Sequence, residues 1–420
     1  MAIYISGLKP IKGRIKVKKK QNNGDISISG PSGPLSPNTI NKYTIDDFDS
    51  SRTYNITTTV GSIDYSGGDT FDLVLPSGTS NSSVDVTVTD GSRTKTFSFT
   101  IEIAQNIGTA NVYSVSWDDT VRKIDSNGDE VWSFTNHTDR VFAAAVDSSG
   151  NVYSGSGSSG ISVAPIDDSV RKIDSSGTQQ WKYTNPNNES VFAVAVDATG
   201  NVYLGATDNT IKKLDSSGNL LWTYTSSERV RAVAVDPSGN VYGGNEFESS
   251  IPNDTALVIK LDSSGNEIWT FGGHTADVTG VAVDASGNVY TSSEDGSGKK
   301  LDSNGNEIWS FSNFDDNSEV WSVAVDPNGN VYLGGGQSDS SLKKLDSNGI
   351  EQWVFRSQGG RVFSVAVDEY ANVYSCADSG GVNKLSSDGK RVWNFSGHSD
   401  SVLSVAVDPG IYPVFFNSFK

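Results

Sequence analysis

The stretch VFAVAVDATGNVY (residues 191–203), followed by IKKLDSSGNLLWTY (residues 211–224), contains the repeating unit of this chain. It holds four short runs of β-type residues, VFAVAVD, NVYLG, IKKLD and LLWTY, which we call strands A to D. Residues that favour tight turns separate the runs. The Asp side chain bonds the backbone of the turn, and Gly adopts the positive φ that the turn requires. The unit therefore predicts four antiparallel strands joined by tight turns.

From about residue 111 the unit recurs with a period of about 40 to 50 residues, and each marker residue occurs seven times. The markers are Trp132, Trp181, Trp222, Trp269, Trp309, Trp353 and Trp393; Tyr113, Tyr153, Tyr203, Tyr242, Tyr290, Tyr332 and Tyr374; and Asp147, Asp197, Asp236, Asp284, Asp326, Asp368 and Asp408. Four strands at this period are typical of a propeller blade. The sequence predicts an all-β, seven-bladed β-propeller with four-stranded blades.

The order of the copies predicts how the ring closes. The first repeat begins at Asn111 with strand B, and the chain ends with an extra strand A from Val402 to Asp408. We expect this C-terminal strand to complete the first blade, which removes the open edges of the ring.

Loop lengths distinguish two faces of the predicted ring. The A–B and C–D turns keep one length, and we call their side the constant face. The B–C and D–A loops form the variable face, and their long members are Gly155–Asp168, Asn245–Ala256, Gly336–Ser341 and Ser312–Glu319. Insertions on one face indicate binding there. The chain enters and leaves the ring on the constant face, so the variable face points away from the tether.

Charge and composition exclude several classes of protein. The chain has 420 residues and a net charge of −18, yet residues 1–20 carry seven Lys/Arg and no acid. An acidic body makes nucleic-acid binding unfavourable, whereas a basic arm can contact an anionic partner. One cysteine excludes an intrachain disulfide and a Cys-based zinc site. No apolar run reaches the ~20 residues of a membrane span, and no secretory signal is visible.

Residues 25–106 contain short alternating β-type runs, of which Ser83–Thr89 and Thr94–Ile103 are joined by Asp90-Gly91-Ser92. That hairpin signal and the run of strands indicate an immunoglobulin-like β-sandwich. The predicted organisation is a basic arm (1–24), the sandwich (25–106), the propeller (107–408) and an aromatic tail (409–420). We expect the tail to dock on the sandwich, the propeller underside or another subunit, and homo-oligomers are possible.

Three groups of polar residues share one repeat position and favour structural roles. His137, His274 and His398 each precede a strand A Asp by ten residues, and they lie in separate blades. DSNGDE (Asp125–Glu130) resembles part of a calcium loop but falls at a C–D turn. Packing roles are also expected for seven lysines, Lys123, Lys172, Lys213, Lys260, Lys300, Lys344 and Lys384. No Ser-His-Asp set, Cys nucleophile or convergent His cluster is visible, so we predict no catalytic residue, cofactor or metal.

The better candidates for function are acidic and aromatic residues of the variable face, since exposed aromatics beside carboxylates suit glycan or protein contacts. They are Trp117, Asp118, Asp119, Asp167, Asp168, Glu246, Phe247, Glu248, Phe314, Asp315, Asp316, Glu319 and Trp321.

The VAVDxxGNVY run followed by KLDxxG resembles the NHL and related bacterial propeller repeats, and the xxWxF/Y ending resembles pyrroloquinoline-quinone-type and WD repeats. The segment from YTIDDFDSSRTYNITTTVG to TFDLVLPSG resembles immunoglobulin-like modules of phage virion and bacterial surface proteins. The whole plan is similar to a tailed-phage structural or host-binding protein.

This resemblance implies a non-enzymatic display protein of the virion, the bacterial surface or the cytoplasm. Its arm and sandwich would contact other virion proteins, and its variable face would bind a host glycan or protein. Two alternatives stay open: a propeller enzyme, such as a quinoprotein or NHL-type lyase, and an intracellular WD-like scaffold.

Overall fold

A computed structural model describes residues 28–29, 40–45, 53–58, 62–65, 69–74, 83–89, 94–100, 110–158, 167–186, 189–247, 256–312, 314, 318–356, 359–408 and 415–416. The chain divides into two units, Met1–Asn106 and Ile107–Lys420. None of the described residues forms a helix long and apolar enough to cross a bilayer.

The first unit contains two antiparallel sheets, built from β1 (Ile28–Ser29), β2 (Ile40–Ile45), β3 (Asn55–Thr58), β4 (Ser62–Asp64), β5 (Thr70–Val74), β6 (Ser83–Thr89) and β7 (Thr94–Thr100). Their orders are β1-β2-β5-β4 and β3-β6-β7. Alternate residues of both sheets form one buried cluster that includes Tyr43, Phe71, Leu73 and Val86. The predicted arm lies outside the described residues.

The second unit is a ring of four-stranded sheets. Blade 1 contains β8 (Val112–Ser116), β9 (Val121–Ile124), β10 (Glu130–Phe134) and β35 (Val402–Val407). Blade 2 contains β11 (Val141–Val146), β12 (Val152–Ser156), β13 (Ser169–Ile173) and β14 (Gln179–Thr184). Blade 3 contains β15 (Val191–Val196), β16 (Val202–Ala206), β17 (Thr210–Leu214) and β18 (Leu220–Thr225).

Blade 4 contains β19 (Val230–Val235), β20 (Val241–Asn245), β21 (Ala256–Leu261) and β22 (Glu267–His274). Blade 5 contains β23 (Val278–Val283), β24 (Val289–Ser293), β25 (Gly298–Leu301) and β26 (Glu307–Phe311), with β36 (Phe415–Phe416) as a fifth strand. Blade 6 contains β27 (Val320–Val325), β28 (Val331–Gly335), β29 (Leu342–Leu345) and β30 (Glu351–Phe355); blade 7 contains β31 (Val362–Val367), β32 (Val373–Ala377), β33 (Val382–Leu385) and β34 (Arg391–Phe395).

Strand A of each blade lies innermost and is buried, as its apolar and small residues predict, and strand D is the partly exposed outer edge. The first strands of neighbouring blades pack side by side around the ring. The predicted seven blades of four strands are confirmed. The prediction of closure is also confirmed, because β35 pairs antiparallel with β8 in register Val407↔Val112.

Each blade is fastened to the next by its marker tryptophan. The Trp132 indole Nε1 donates to the carbonyl oxygen of Ser175 in the following C–D turn at 3.1 Å, and its ring lies against Gly177 of that turn. The same bond recurs in every interface at 2.9 to 3.2 Å, including Trp393 to Ser126 between blades 7 and 1. Tight turns on the constant face are therefore required for blade contact.

The seven lysines that share one repeat position also lie at the contact between neighbouring blades. Each ammonium lies 5.1 to 5.5 Å from the centre of its blade tyrosine ring. Lys260 Nζ also donates to the Ser303 carbonyl oxygen at 3.0 Å, the oxygen that accepts the bond from Trp269. These geometries agree with the predicted packing role, and Asp125–Glu130 is a C–D turn in which Asp125 accepts bonds from the backbone of Asn127 and Asp129.

Candidate functional site on the variable face

The strand bounds place all length variation on the variable face. Five residues separate strands A and B in each internal blade, as between Val146 and Val152, and five separate strands C and D, as between Ile173 and Gln179. The B–C connections instead run from three residues, between Ala206 and Thr210, to twelve, between Ser156 and Ser169.

Three histidines of the D–A loops each bind a carboxylate and a hydroxyl group. His137 Nδ1 lies 3.0 Å from Asp167 Oδ2, and its Nε2 lies 2.9 Å from Ser154 Oγ. The equivalent sets are His274 with Asp295 and Thr291, and His398 with Asp118 and Ser114. The atom order resembles a catalytic triad.

Burial decides what these sets can do. The side chains of His137, His274 and His398 are 0% exposed, and Ser154 and Thr291 are also 0% exposed. A nucleophile must reach its substrate, and none of these hydroxyl groups has a path to solvent in the described ring. The sets instead join each D–A loop to the B–C turn of the blade that the loop leads into, which agrees with the structural role predicted for the histidines.

The carboxylates of these sets are held ionised. Burial opposes ionisation of Asp167, but bonds from His137, Lys182 and Arg171 outweigh it and hold the pKa of Asp167 well below its usual range. The same balance, with His398 and Thr120 as donors, lowers the pKa of Asp118. Burial lowers the pKa of His137 itself, which favours the neutral imidazole.

Sequence reasoning took Asp118, Asp167, Asp168, Phe314 and Trp321 for exposed residues; the structure buries the last four and leaves Asp118 half-buried, with 7% of its side chain exposed. Asp118 and Asp167 belong to the histidine sets, and Asp168 accepts a bond from Ser190 Oγ at 3.2 Å. The error has a physical reason: a short polar loop residue is exposed only if no neighbouring loop covers it.

Phe314 occupies the histidine position of the blade 5–6 connection. It lies three residues after Phe311, as His137 lies three after Phe134, and both pairs pack edge to face. Phe314 shares a buried cluster with Leu333, the residue that replaces the hydroxyl partner in that blade. Phe314 and Leu333 thus form an apolar pair in the place where the three histidine-bearing loops have a histidine paired with a hydroxyl group.

Trp321 belongs to a ring of side chains at the mouth of the channel. A β-bulge recurs at the second residue of every strand A. A bulge redirects the side chain of its extra residue. The bulge ring consists of Phe142, Phe192, Arg231, Thr279, Trp321, Phe363 and Leu403, all at most 7% exposed. Sequence reasoning missed this ring, although the second residue is the position of strand A that varies most in size.

Arg231 is the charged member of the bulge ring, with 0% of its surface exposed. Its guanidinium forms an ion pair with Asp277, lies 3.1 Å from Glu294 Oε1 and 3.9 Å from Glu246 Oε1, and lies 6.0 Å from the Trp321 ring centre. A buried arginine without such partners would be costly, so the three carboxylates are required by its position.

Several predicted residues do remain at the surface. Trp117 is half-buried beneath the Arg140 guanidinium, 4.3 Å from its ring centre. Asp119, Glu246, Phe247 and Glu319 are also half-buried. The structure does not bring all of these together, because they lie on the connections of blades 1, 4 and 6. Glu248, Asp315 and Asp316 lie outside the described residues.

Around blades 1 to 3 the described variable face is acidic. Burial and the nearby carboxylates of Asp139 and Asp118 raise the pKa of Asp119. Burial, with Asp139 and Glu189 nearby, raises the pKa of Asp168. In the part of the chain that the structure describes, no group of three or more His, Cys, Asp or Glu side chains could hold a metal ion. This surface offers carboxylates and half-buried aromatics for contact.

Comparisons with known proteins agree with the repeat architecture. Residues 117–247 match the family model described as outer membrane protein assembly factor BamB, and residues 265–299 match that of the WD domain, G-beta repeat. The chain is therefore a β-propeller repeat protein with BamB-like and WD-like repeats.

Solved structures are similar in fold. One chain of the crystal structure of the mitotic checkpoint complex has a TM-score of 0.53 at 15% identity, over 66% of this chain and 86% of that chain. This similarity extends to the fold alone. Curated protein sequences give no match.

Proposed function

We propose that this protein is a non-enzymatic binding protein whose variable face contacts a host glycan or a protein partner. The observation that carries the proposal is the one-sided loop variation: five-residue turns form the constant face, whereas variable-face connections reach twelve residues. The tryptophan contacts hold the C–D turns of the constant face, whereas the lengths of the variable-face connections differ from blade to blade. Loops freed in this way are where repeat proteins place binding.

The chemistry of the described residues also favours binding over catalysis. The three Asp-His-hydroxyl sets are sealed inside the ring, and the one cysteine, Cys376, is buried. Burial raises the pKa of the Cys376 thiol well above its ordinary value, which disfavours the reactive thiolate. The described variable face presents half-buried carboxylates and aromatic rings, such as those of Asp119, Glu246 and Phe247.

The N-terminal unit supports a display role. We infer an immunoglobulin-like fold, because the strand orders β1-β2-β5-β4 and β3-β6-β7 correspond to A-B-E-D and C-F-G of that fold. Such a module before the propeller in the chain, preceded by a basic arm, is similar in domain order to a tailed-phage virion protein. The arm and the module would then contact other virion proteins.

An intracellular interaction scaffold is the second candidate. The WD-repeat match at residues 265–299 favours it, and the matched relatives are named as an assembly factor and as part of a checkpoint complex. A propeller enzyme is the third alternative, and a quinone-like absorption in the purified protein would support it. Mass spectrometry of purified particles against envelope and cytosol fractions distinguishes display from scaffold.

A matched pair of variants tests the binding face. The double variant Asp119→Asn/Phe247→Ala changes one carboxylate and one aromatic ring on the variable face. Asp129→Asn/Tyr370→Ala makes the same changes on the constant face, where Tyr370 is 45% exposed. We expect only the first variant to lose binding to surface-glycan arrays or to intact cells. Equal loss in both variants, or unchanged binding in both, would contradict the assignment.

A further inference from the structure

The C-terminal tail contacts the propeller from inside its channel. Strand β36 pairs antiparallel with β23, in register Gly280↔Phe416 and Val281↔Phe415. Strand β23 is the innermost strand of blade 5, so β36 lies on the channel side of that sheet. The Cα atoms of β36 also come within 8 Å of Cα atoms in β11, β15, β19, β27 and β31. Inner strands of six blades therefore surround the segment.

Strand direction shows which mouth the tail enters. Strand A of each blade runs from the variable face to the constant face, because the D–A loop precedes it and the A–B turn follows it. Since β36 is antiparallel to β23, it runs from the constant face towards the variable face. Seven residues lie between Val407 and Phe415, and the eight Cα–Cα steps across them span at most about 29 Å.

Blade 5 differs from the others at its inner edge. Thr279 is the smallest member of the bulge ring, and its hydroxyl donates to the Val320 carbonyl oxygen of blade 6 at 2.6 Å. A Cβ on Gly280 would lie 2.6 Å from Ser292 Oγ, so glycine is needed for Thr279 to pair with Ser292 at 3.0 Å. Thr279 is thus held towards blade 6.

We propose that the inner edge of β23 is a strand-acceptor site for an extended aromatic segment, and that the tail of the same chain fills it. Backbone bonds to a free sheet edge give affinity in strand addition, and the flanking side chains give selectivity. The occupant has the required chemistry, because GIYPVFFNSFK (residues 410–420) carries Tyr412, Phe415, Phe416 and Phe419. These aromatics would be a liability if exposed to water.

A disulfide in the full chain tests the position of the tail. Residues directly opposite in an antiparallel pair have Cα atoms about 4.5 to 5.5 Å apart, within the range for a disulfide. We expect Val281→Cys/Phe415→Cys to form this bond under mild oxidation. The matched control is Val405→Cys/Phe415→Cys, which uses the equivalent residue of blade 1, and it should stay reduced. The buried Cys376 does not compete. Equal oxidation of both variants, or of neither, would overturn the proposal.

Peptide binding tests the acceptor site itself, again in the full chain. The variant Phe415→Asp/Phe416→Asp should release the tail, since each change adds a carboxylate to a strand that the inner strands of six blades surround, where burial of a charge is costly. A fluorescent peptide of residues 409–420 should then bind this variant about tenfold or more tighter than the parent protein. The same peptide with both Phe→Asp changes should not bind. A peptide that binds parent and variant equally, or binds neither, would refute the acceptor site.

Discussion

The Tyr113 phenol donates a 2.8 Å hydrogen bond to the carboxylate of Asp408, which lies 295 residues later in the chain. Asn111 adds two bonds to the same carboxylate, from its backbone N at 2.6 Å and its Nδ2 at 3.2 Å. In blades 2 to 7 the equivalent bonds form within one continuous turn, as from Tyr203 to Asp197 at 2.9 Å. In the other blades the A–B turn is one continuous segment. In blade 1 its counterpart is made by residues from the two ends of the repeat region.

Removal of the closing carboxylate should destabilise the ring. We expect Asp408→Ala to lower the free energy of unfolding by about 2–4 kcal/mol, because it leaves buried donors unsatisfied. Urea unfolding followed by tryptophan fluorescence measures the change. Asp197→Ala is the matched control within a continuous turn. An unchanged midpoint for Asp408→Ala would show that the closure does not depend on these bonds.

The closing interface between blades 7 and 1 should depend on its indole donor. We expect Trp393→Phe to cost about 1 kcal/mol, the value of one hydrogen bond, and Trp393→Ala to cost about 3–5 kcal/mol through the cavity that it leaves. Trp353, which makes the same bond to Ser387 at 3.1 Å, provides the internal control. A Phe variant as damaging as the Ala variant would argue against a separate contribution from the hydrogen bond.

The His137 set should make stability fall in mild acid. Burial lowers the pKa of His137 in the folded state, so the unfolded chain, with a His pKa of about 6.5, binds the proton more readily. Stability therefore rises with pH across the interval below about 6.5 and is lost as the pH falls through it. Melting temperatures at pH 7 and pH 5 measure this loss.

The chain offers its own control for that loss. His137→Phe/Ser154→Leu copies Phe314 and Leu333, the apolar pair of the blade 5–6 connection. Asp167 keeps bonds from Arg171 at 2.9 Å and Lys182 at 2.7 Å in this variant. We expect a smaller fall in melting temperature between pH 7 and pH 5 than in the parent. An identical fall would assign the acid sensitivity to other groups.

The blade tyrosines should resist alkali until the ring unfolds. Burial, followed by the charge and hydrogen bonding of the partner aspartate, raises the pKa of Tyr153 well above its ordinary value, and the other six blade tyrosines share this shift. The stability that these phenols contribute is complete below about pH 10 and declines at higher pH. Exposed phenols such as that of Tyr370 should ionise first, and the phenolate absorbance of the seven blade tyrosines should then rise in one step together with the loss of circular dichroism. Ionisation of all the tyrosines in a protein that keeps its circular dichroism would contradict the buried bonds.

Arg231 should be essential to the interface between blades 4 and 5. We expect Arg231→Ala to cost about 3–5 kcal/mol, since it leaves the partly buried Asp277 and Glu294 without their cation. Arg229 pairs with Glu246 at 3.6 Å but is 55% exposed, so Arg229→Ala should cost at most about 1 kcal/mol. Chemical denaturation of both variants gives the comparison. If both variants lost the same free energy of unfolding, the burial of Arg231 would make no contribution to stability.

The repeat made much of the fold predictable. Each copy of Tyr153, Trp181 or Asp197 has the same neighbours, so counting the copies counts the blades. The histidine sets had a weaker signal within the repeats: Ser114, Ser154 and Thr291 follow the blade tyrosine in the three blades that a histidine-bearing D–A loop leads into, but Ser375 holds the same position in blade 7, whose preceding loop has no histidine. Comparison among blades would have assigned the hydroxyl partners only together with the histidines.

The sequence by itself determined the number of blades, the closure by Val402–Val407 and the face that carries the long loops. These features follow from residue spacing, and spacing is a local property of the chain. Tertiary structure decided the burial of Asp167, Asp168 and Trp321, the bulge ring and the pairing of Phe415 with Val281. Those outcomes depend on which loops and strands of different blades meet in space, and no residue spacing encodes such meetings.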